Sequence, residues 1–282
     1  MESTMSVLQM ASQTDLTQLV AQFNDFGQGI KYDAAAAPPA AAPPELLVLS
    51  QSDLADVGSP QHALFLNVLA ERGFGDNRRV ISASVALRVG WSSGFVIGTY
   101  VAAGLLAEDA VTSLVVEKGL VRSVVVHSAS FRGADDLPEK ERRTALARIL
   151  YDQAEPFVAS HHAWSRLSRR ALFSMLESGW AGQFVGFGEA LGRADWAAQE
   201  AKAVLASHPV LALDAPELYP IKAAGKHKYC QRRTLCCLYY KMPNAGYCGS
   251  CPILAEPDRT ARQIKYVAEY GLPDGGVSGV QA

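Results

Sequence analysis

Val89–Ala107, VGWSSGFVIGTYVAAGLLA, carries no charged side chain, and its reading decides between two kinds of fold. A membrane span needs about 20 mostly apolar residues, and small residues at i, i+4 spacing let two helices approach closely. Gly90, Gly94 and Gly98 have that spacing. Against a span stand Ser92, Ser93, Thr99, the high glycine content and the lack of a second such run. The stretch is read as part of a central helix of a globular core, with the glycines forming a flat packing face.

Working outward, a helical pattern covers Ser82–Ala107, and another covers Pro60–Arg72. Thr112–Val116 and Leu120–His127 are β-branched runs around Glu117-Lys118-Gly119, the signature of a hairpin. Pro138 opens a helix expected to reach Ser160, and further helices are expected over Ala163–Glu177, Asp195–His208 and Pro257–Tyr270. Near the start, Asp15–Phe26 reads as an amphipathic helix with Leu16, Leu19, Val20 and Phe23 on one side. The run Ala34–Pro44, AAAAPPAAAPP, favours an extended polyproline spacer. The expected fold is α+β: a helix-dominated body with a β-hairpin and a C-terminal cysteine-rich module. The expected units are an N-terminal helix and linker over 1–45, a body over 46–220 and a C-terminal module over 221–282.

The chain has 282 residues, 49% of them apolar, enough to bury a sizeable core. A net charge of −2 gives no global signal for nucleic acid or an anionic membrane surface. The first residues, MESTMSVLQMASQTD, lack a basic region followed by an apolar run, so no secretory signal is read. The expectation is a cytoplasmic protein without a transmembrane span, with peripheral membrane contact left open. In the cytosol, cysteines serve more often as metal ligands or redox groups than as structural disulfides.

All five cysteines lie between Cys230 and Cys251, in KYCQRRTLCCLYYKMPNAGYCGSCP. Four form the pattern C-C-x10-C-x2-C, and Cys230 stands outside it. Cys248-Gly-Ser-Cys251 brings two thiolates to one metal, and Met242–Gly246 is turn chemistry that folds the chain back toward Cys236-Cys237. Thiolates at this density select zinc, Cu(I) or an iron–sulfur cluster. Adjacent cysteines weigh against ordinary zinc, whose ligands come in C-x2–4-C pairs. No acid lies between Glu217 and Glu256, while Lys222, Lys226, Lys228, Arg232, Arg233 and Lys241 do. Such a field lowers thiol pKa values. Arg232 and Arg233, beside Cys236, are the candidates for tuning the centre or docking an acidic electron donor.

R-R-T-L-C-C-L-Y-Y…Y-C-G-S-C-P over Arg232–Pro252 resembles the C-terminal cluster motif of the FhuF-like ferric-siderophore reductases, cytoplasmic [2Fe-2S] proteins. The resemblance implies that Cys236, Cys237, Cys248 and Cys251 ligate the cluster and that hydroxamate-type ferric siderophores are substrates. It implies a ferric-iron oxidoreductase that passes one electron to chelated Fe(III), with no catalytic residue needed beyond the cluster. The body over 46–220 would then dock the siderophore, with Trp91 and Trp164 among the possible contacts. The Ala/Pro spacer and Cys230 have no place in the family pattern, and Cys230 is read as a free thiol.

Two other readings compete: a zinc-stabilised siderophore-binding protein, and a thiol–disulfide oxidoreductase using Cys248 and Cys251. The second needs its first cysteine at a helix N-terminus in a βαβ setting. Gly186–Gly192, GFGEALG, departs from G-x-G-x-x-G and follows a helical pattern, so it is read as a bend between helices. With no nicotinamide or flavin motif, the electron must come from a separate protein, such as a ferredoxin or an NAD(P)H-dependent reductase. His161-His162 is read as ordinary packing at a helix start.

Overall fold

The computed structural model describes residues 9–10, 13–26, 31–36, 46–243 and 245–273. The Ala/Pro spacer lies, from residue 37 on, outside them. The chain begins with β1 (Gln9–Met10), α1 (Gln13–Asp25), β2 (Lys31–Ala34), β3 (Leu46–Ser50), α2 (Gln51–Ala55) and α3 (Pro60–Leu69). It continues with α4 (Arg78–Val89), α5 (Gly94–Ala103), β4 (Leu105–Glu117), β5 (Leu120–Gly133) and α6 (Glu139–Ser165). Then come α7 (Arg169–Ala190), α8 (Ala194–Ala206), β6 (Glu217–Ala223), β7 (Lys226–Arg232), α9 (Glu256–Tyr270) and β8 (Leu272–Pro273). The fold class is α+β, as expected.

The hairpin is the centre of the larger sheet. β4 and β5 pair antiparallel down to Glu117↔Leu120, and the two turn residues Lys118 and Gly119 have φ of 49° and 76°. Positive φ at both positions is the turn whose twist matches the strands it joins. β3 adds antiparallel to β4, while β1 (antiparallel) and β2 (parallel) add to the other edge of β5. Leu16, Val20 and Phe23 of α1 are buried, so α1 is part of the packed body. Burial of each contributes about 2 kcal/mol.

The continuous helix expected over Ser82–Ala107 is instead two helices and the start of a strand. α4 ends at Val89, and at Gly90 α7 crosses backbone to backbone. A Cβ on Gly90 would lie 2.9 Å from the Leu176 carbonyl oxygen and 3.2 Å from Gly179 Cα. Gly98 lies beneath the rings of Phe187 and Phe23, so the glycine face packs closely as the spacing suggested. Gly104, at φ 65°, ends α5 and Leu105 opens β4. Arg78–Ala103 is long and apolar enough to cross a membrane by length and composition, yet 72% of its most apolar window is buried inside the fold.

The helix expected over Ala163–Glu177 is also corrected. α6 runs on to Ser165, Arg166 turns left-handed at φ 60°, and α7 starts anew with Ser168 Oγ accepting from Ala171 N at 3.1 Å. His161-His162 therefore sits at a helix end rather than a start. α7 runs through Gly186 and Gly188, where a bend was expected. The missing side chain of Gly188 leaves room there for Ala197 of α8. The break comes at Gly192, φ 66°.

The sequence reading missed the hairpin of β6 and β7, joined through Ala224 and Gly225 and extended by β8. This small sheet, covered by α9 and leaning on α7, carries the cysteine segment at its end.

Candidate metal centre

β7 ends at Arg232, and the next residue turns inward. Arg233 N donates to Ser250 O at 3.0 Å, stitching the first cysteine loop to the second. Cys251 N donates to Cys248 O at 3.1 Å and closes the Cys-Gly-Ser-Cys turn. After Cys237, Leu238 adopts φ 60°, and its N–H donates to Cys236 Sγ at 3.3 Å. These bonds fold both pairs toward one region.

α9 holds the turn from behind. Gln263 Nε2 donates to Gln231 O at 3.0 Å and to Gly249 O at 2.9 Å, joining β7 to the second pair. Tyr219 of β6 donates to the Oε1 of the same amide at 2.9 Å. The adjacent Arg262 donates to Tyr247 O, and about one turn earlier buried Arg259 donates to Leu254 O at 2.9 Å. Arg259, Arg262 and Gln263 share a face of α9 by i, i+3, i+4 spacing. The cysteine pattern alone did not point to them.

Arg233 is the electrostatic centre of the site. It is 3% exposed, and its Nη2 donates to Cys237 Sγ at 3.3 Å and to Cys248 Sγ. Nη1 faces Met175 Sδ at 3.6 Å, and Nε has no hydrogen-bond partner among the described residues. Among the described residues no carboxylate pairs with it, and negative charge on the sulfurs beside it stabilises the buried guanidinium. Cys237 is held well below the usual thiol range, first by hydrogen bonds from Cys236 and Cys248 and then by the Arg233 charge. Cys236 and Cys248 are pushed up by the same bonding to Cys237 and by burial. Charge on Cys251 adds to the shift at Cys236, so all four thiols interact.

A cavity of about 470 Å³ opens onto Cys237 and Cys248. Its lining includes Arg72, Arg88 and Arg233 but no carboxylate. A positive chamber of this kind favours an anionic centre. Among the described residues, no group of three or more His, Cys, Asp or Glu side chains is arranged to hold a single metal ion.

Arg232, weighed equally with Arg233 from sequence, lies elsewhere: its side chain is 48% exposed and faces Glu217 at 3.9 Å. The acid-free segment is partly neutralised from α7, where Glu189 pairs with Lys228 at 2.9 Å and accepts from Tyr229 N at 2.9 Å. Cys230 is buried on β7, and burial pushes its thiol up to about 11. Trp91 lines the cavity at the thiols, whereas Trp164 stacks under Arg78, 5.2 Å from the guanidinium carbon to the ring centre. Cys248 precedes a turn, and α9 begins only at Glu256, so the helix N-terminus a thiol–disulfide exchanger needs does not follow this cysteine.

Residues 233–252 match the family model described as FhuF 2Fe-2S C-terminal domain. That stretch is similar to an FhuF-type [2Fe-2S] domain. Neither curated proteins nor solved structures gave a match to the chain. The matched stretch starts at Arg233 and contains Cys236, Cys237, Cys248 and Cys251, and the domain it matches is a [2Fe-2S] domain, so the cofactor is a [2Fe-2S] cluster. The donor set fits, since such clusters take four thiolates, and among the described residues the charges that stabilise the Arg233 guanidinium are those of cysteine sulfurs.

Proposed function

We propose that this FhuF-like protein is a cytoplasmic ferric-siderophore reductase and that Cys236, Cys237, Cys248 and Cys251 are its four cluster ligands. The observation that carries the reading is buried Arg233, satisfied by Cys237 and Cys248 within the matched domain. A bound [2Fe-2S] cluster supplies one electron per turnover, taken from a separate reduced protein and given to chelated Fe(III) without making or breaking a bond to the chelator. Fe(III) suits hard oxygen ligands better than Fe(II) does, so the reduced iron is released and the chelator survives.

The residues of the chain contribute position and charge. Arg233, with Arg72 and Arg88, offsets negative charge at the thiols and favours the extra electron. Gln263 fixes the Cys248–Cys251 turn against β7. No proton transfer is required.

The test is a single turnover under anaerobic conditions. Chemically reduced protein is mixed with a ferric trihydroxamate and an Fe(II)-specific chelator. One Fe(II) per reduced cluster is the expected yield, with no NAD(P)H oxidation by the protein alone. Absence of Fe(II) formation with hydroxamate, catecholate and carboxylate chelates alike would falsify the reading.

A further inference from the structure

A second cleft, of about 910 Å³, lies between α7, β7 and α9 on the outer side of the Cys248–Cys251 turn. Trp91, Ser178, Gly179, Gln231 and Ser250 line both this cleft and the cavity that reaches the thiols. The wall between them is therefore thin. Beside Ser250, Gly249 lines the cleft with bare backbone, with nothing within 4 Å of where a Cβ would be. We propose that this cleft is the docking site of the ferric chelate, an inference that rests on the reductase reading and locates its substrate.

Three observations converge on the cleft. Its rim concentrates exposed aromatic surface: Trp91 is 38% exposed, Tyr266 48% and Tyr270 58%, and the two tyrosine rings lie 5.1 Å apart. Exposed apolar side chains grouped at a concave site mark ligand surfaces more often than scattered ones do. Its charge is modest. The Lys228–Glu189 pair is neutral and Arg262 adds one positive charge, which suits a neutral or anionic oxygen chelate better than a cationic one. Its volume falls in the range that encloses most of a ligand of siderophore size.

Position decides between this cleft and a larger one. The groove of about 1150 Å³ between β4 and α6 is lined by Glu108, Asp109, Glu141 and Asp152 and touches no residue of the cysteine segment. An electron leaving the thiol region reaches the aromatic cleft through the Gly249–Ser250 wall, whereas the larger groove has no such contact.

The experiment separates docking from reduction by using a gallium(III) trihydroxamate, which has the charge and shape of the ferric complex but accepts no electron. Calorimetric titration of cluster-loaded protein should show binding. Trp91→Ala and the double variant Tyr266→Ala/Tyr270→Ala should each weaken it at least tenfold, with the visible cluster spectrum unchanged. Leu64→Ala, an exposed residue on α3, should leave it unchanged. Unaltered gallium-chelate affinity in both cleft variants would overturn the location. So would ferric reduction at the parent's second-order rate in both, if the gallium complex binds too weakly to measure. In either case reduction by the parent protein would leave the reductase reading standing. A parent protein that neither binds the gallium complex nor reduces the ferric one would instead remove the reading itself, and the docking site with it.

Discussion

Arg233 Nη2 lies 3.3 Å from Cys237 Sγ, and the side chain behind it is all but sealed from water. Two unit charges about 4 Å apart interact by roughly 4 kcal/mol at an effective dielectric near 20. A one-electron couple converts about 1.4 kcal/mol into about 59 mV. Delocalisation of the added charge over the centre reduces the effect, so Arg233→Gln should lower the midpoint potential by on the order of 100 mV. Arg232→Gln removes a half-exposed charge beside Glu217 and should shift it by at most about 20 mV. Voltammetry of the two variants beside the parent measures both. Equal shifts would show that the burial of Arg233 has no electrostatic consequence.

The four cysteines of the matched segment and Cys230 should separate cleanly. The parent should hold about two irons and two sulfides per chain. Serine at Cys236, Cys237, Cys248 or Cys251 should lose or disturb that content and its visible spectrum. Cys230→Ser should retain both, because Cys230 lies on β7 and its neighbouring charges are Lys228 and Glu189. Iron loss in Cys230→Ser equal to that of the others would require a different ligand set.

The cysteine pattern and the first hairpin were legible because each is local: a spacing in one case, a β-branched run around Lys118-Gly119 in the other. What escaped depends on partners distant in sequence. At Gly90, where α4 ends, α7 brings Leu176 and Gly179 against the backbone, a contact that the local apolar pattern does not announce. The β6–β7 hairpin was hidden by its lysines, which suit a small, half-exposed sheet as well as a solvated loop. Arg232 and Arg233 are neighbours of one type, and their difference arises where β7 ends and the chain turns inward. Gln263 joins the site from a helix that sequence spacing gave no reason to connect with Gly249.

Glu177 is a stability determinant whose sign is set by its missing partners. Among the described residues both its carboxyl oxygens are buried without a hydrogen bond, as are Ser174 Oγ and Trp180 Nε1 on the same helix. Burial, and then the charge of Asp214, pushes its pKa up to about 9. The folded state therefore holds a proton that the unfolded state releases near 4.5, and stability declines as pH rises through that window. Glu177→Gln removes this term. The variant should be more stable than the parent by about 2 kcal/mol at pH 7.5, with the difference closing toward pH 4.5. Urea unfolding followed by helical circular dichroism at the two pH values measures it, and a difference independent of pH would contradict the assignment.

His62 and His161 act in the opposite direction. Their Nε2 atoms are 3.0 Å apart, His62 Nδ1 bonds the Asp53 carbonyl at 2.8 Å, and His161 Nδ1 meets Ser82 Oγ at 2.8 Å. The carbonyl fixes the proton of His62 on Nδ1, so His62 Nε2 accepts from His161 Nε2 and Ser82 donates to His161. That arrangement is complete with both rings neutral; a further proton at His62 Nε2 would set two N–H groups against each other, and one at His161 Nδ1 would place a charge in a buried site. Burial lowers both pKa values, that of His161 to about 3 with His62 adding to the shift, while Asp53 and Asp56 moderate the fall at His62. Phe65, Phe157 and Trp164 supply the other walls, and none offers a charge. The unfolded rings bind protons below about 6.5, so their contribution is full above that pH and is lost as pH falls toward 3. For His161 alone the loss by pH 5 is about 2 kcal/mol, at roughly 1.4 kcal/mol per unit. His161→Gln retains a donor and an acceptor but does not titrate. Its unfolding free energy should fall between pH 7.5 and pH 5 by about 2 kcal/mol less than the parent's. The same fall in both proteins would place the acid-sensitive groups elsewhere.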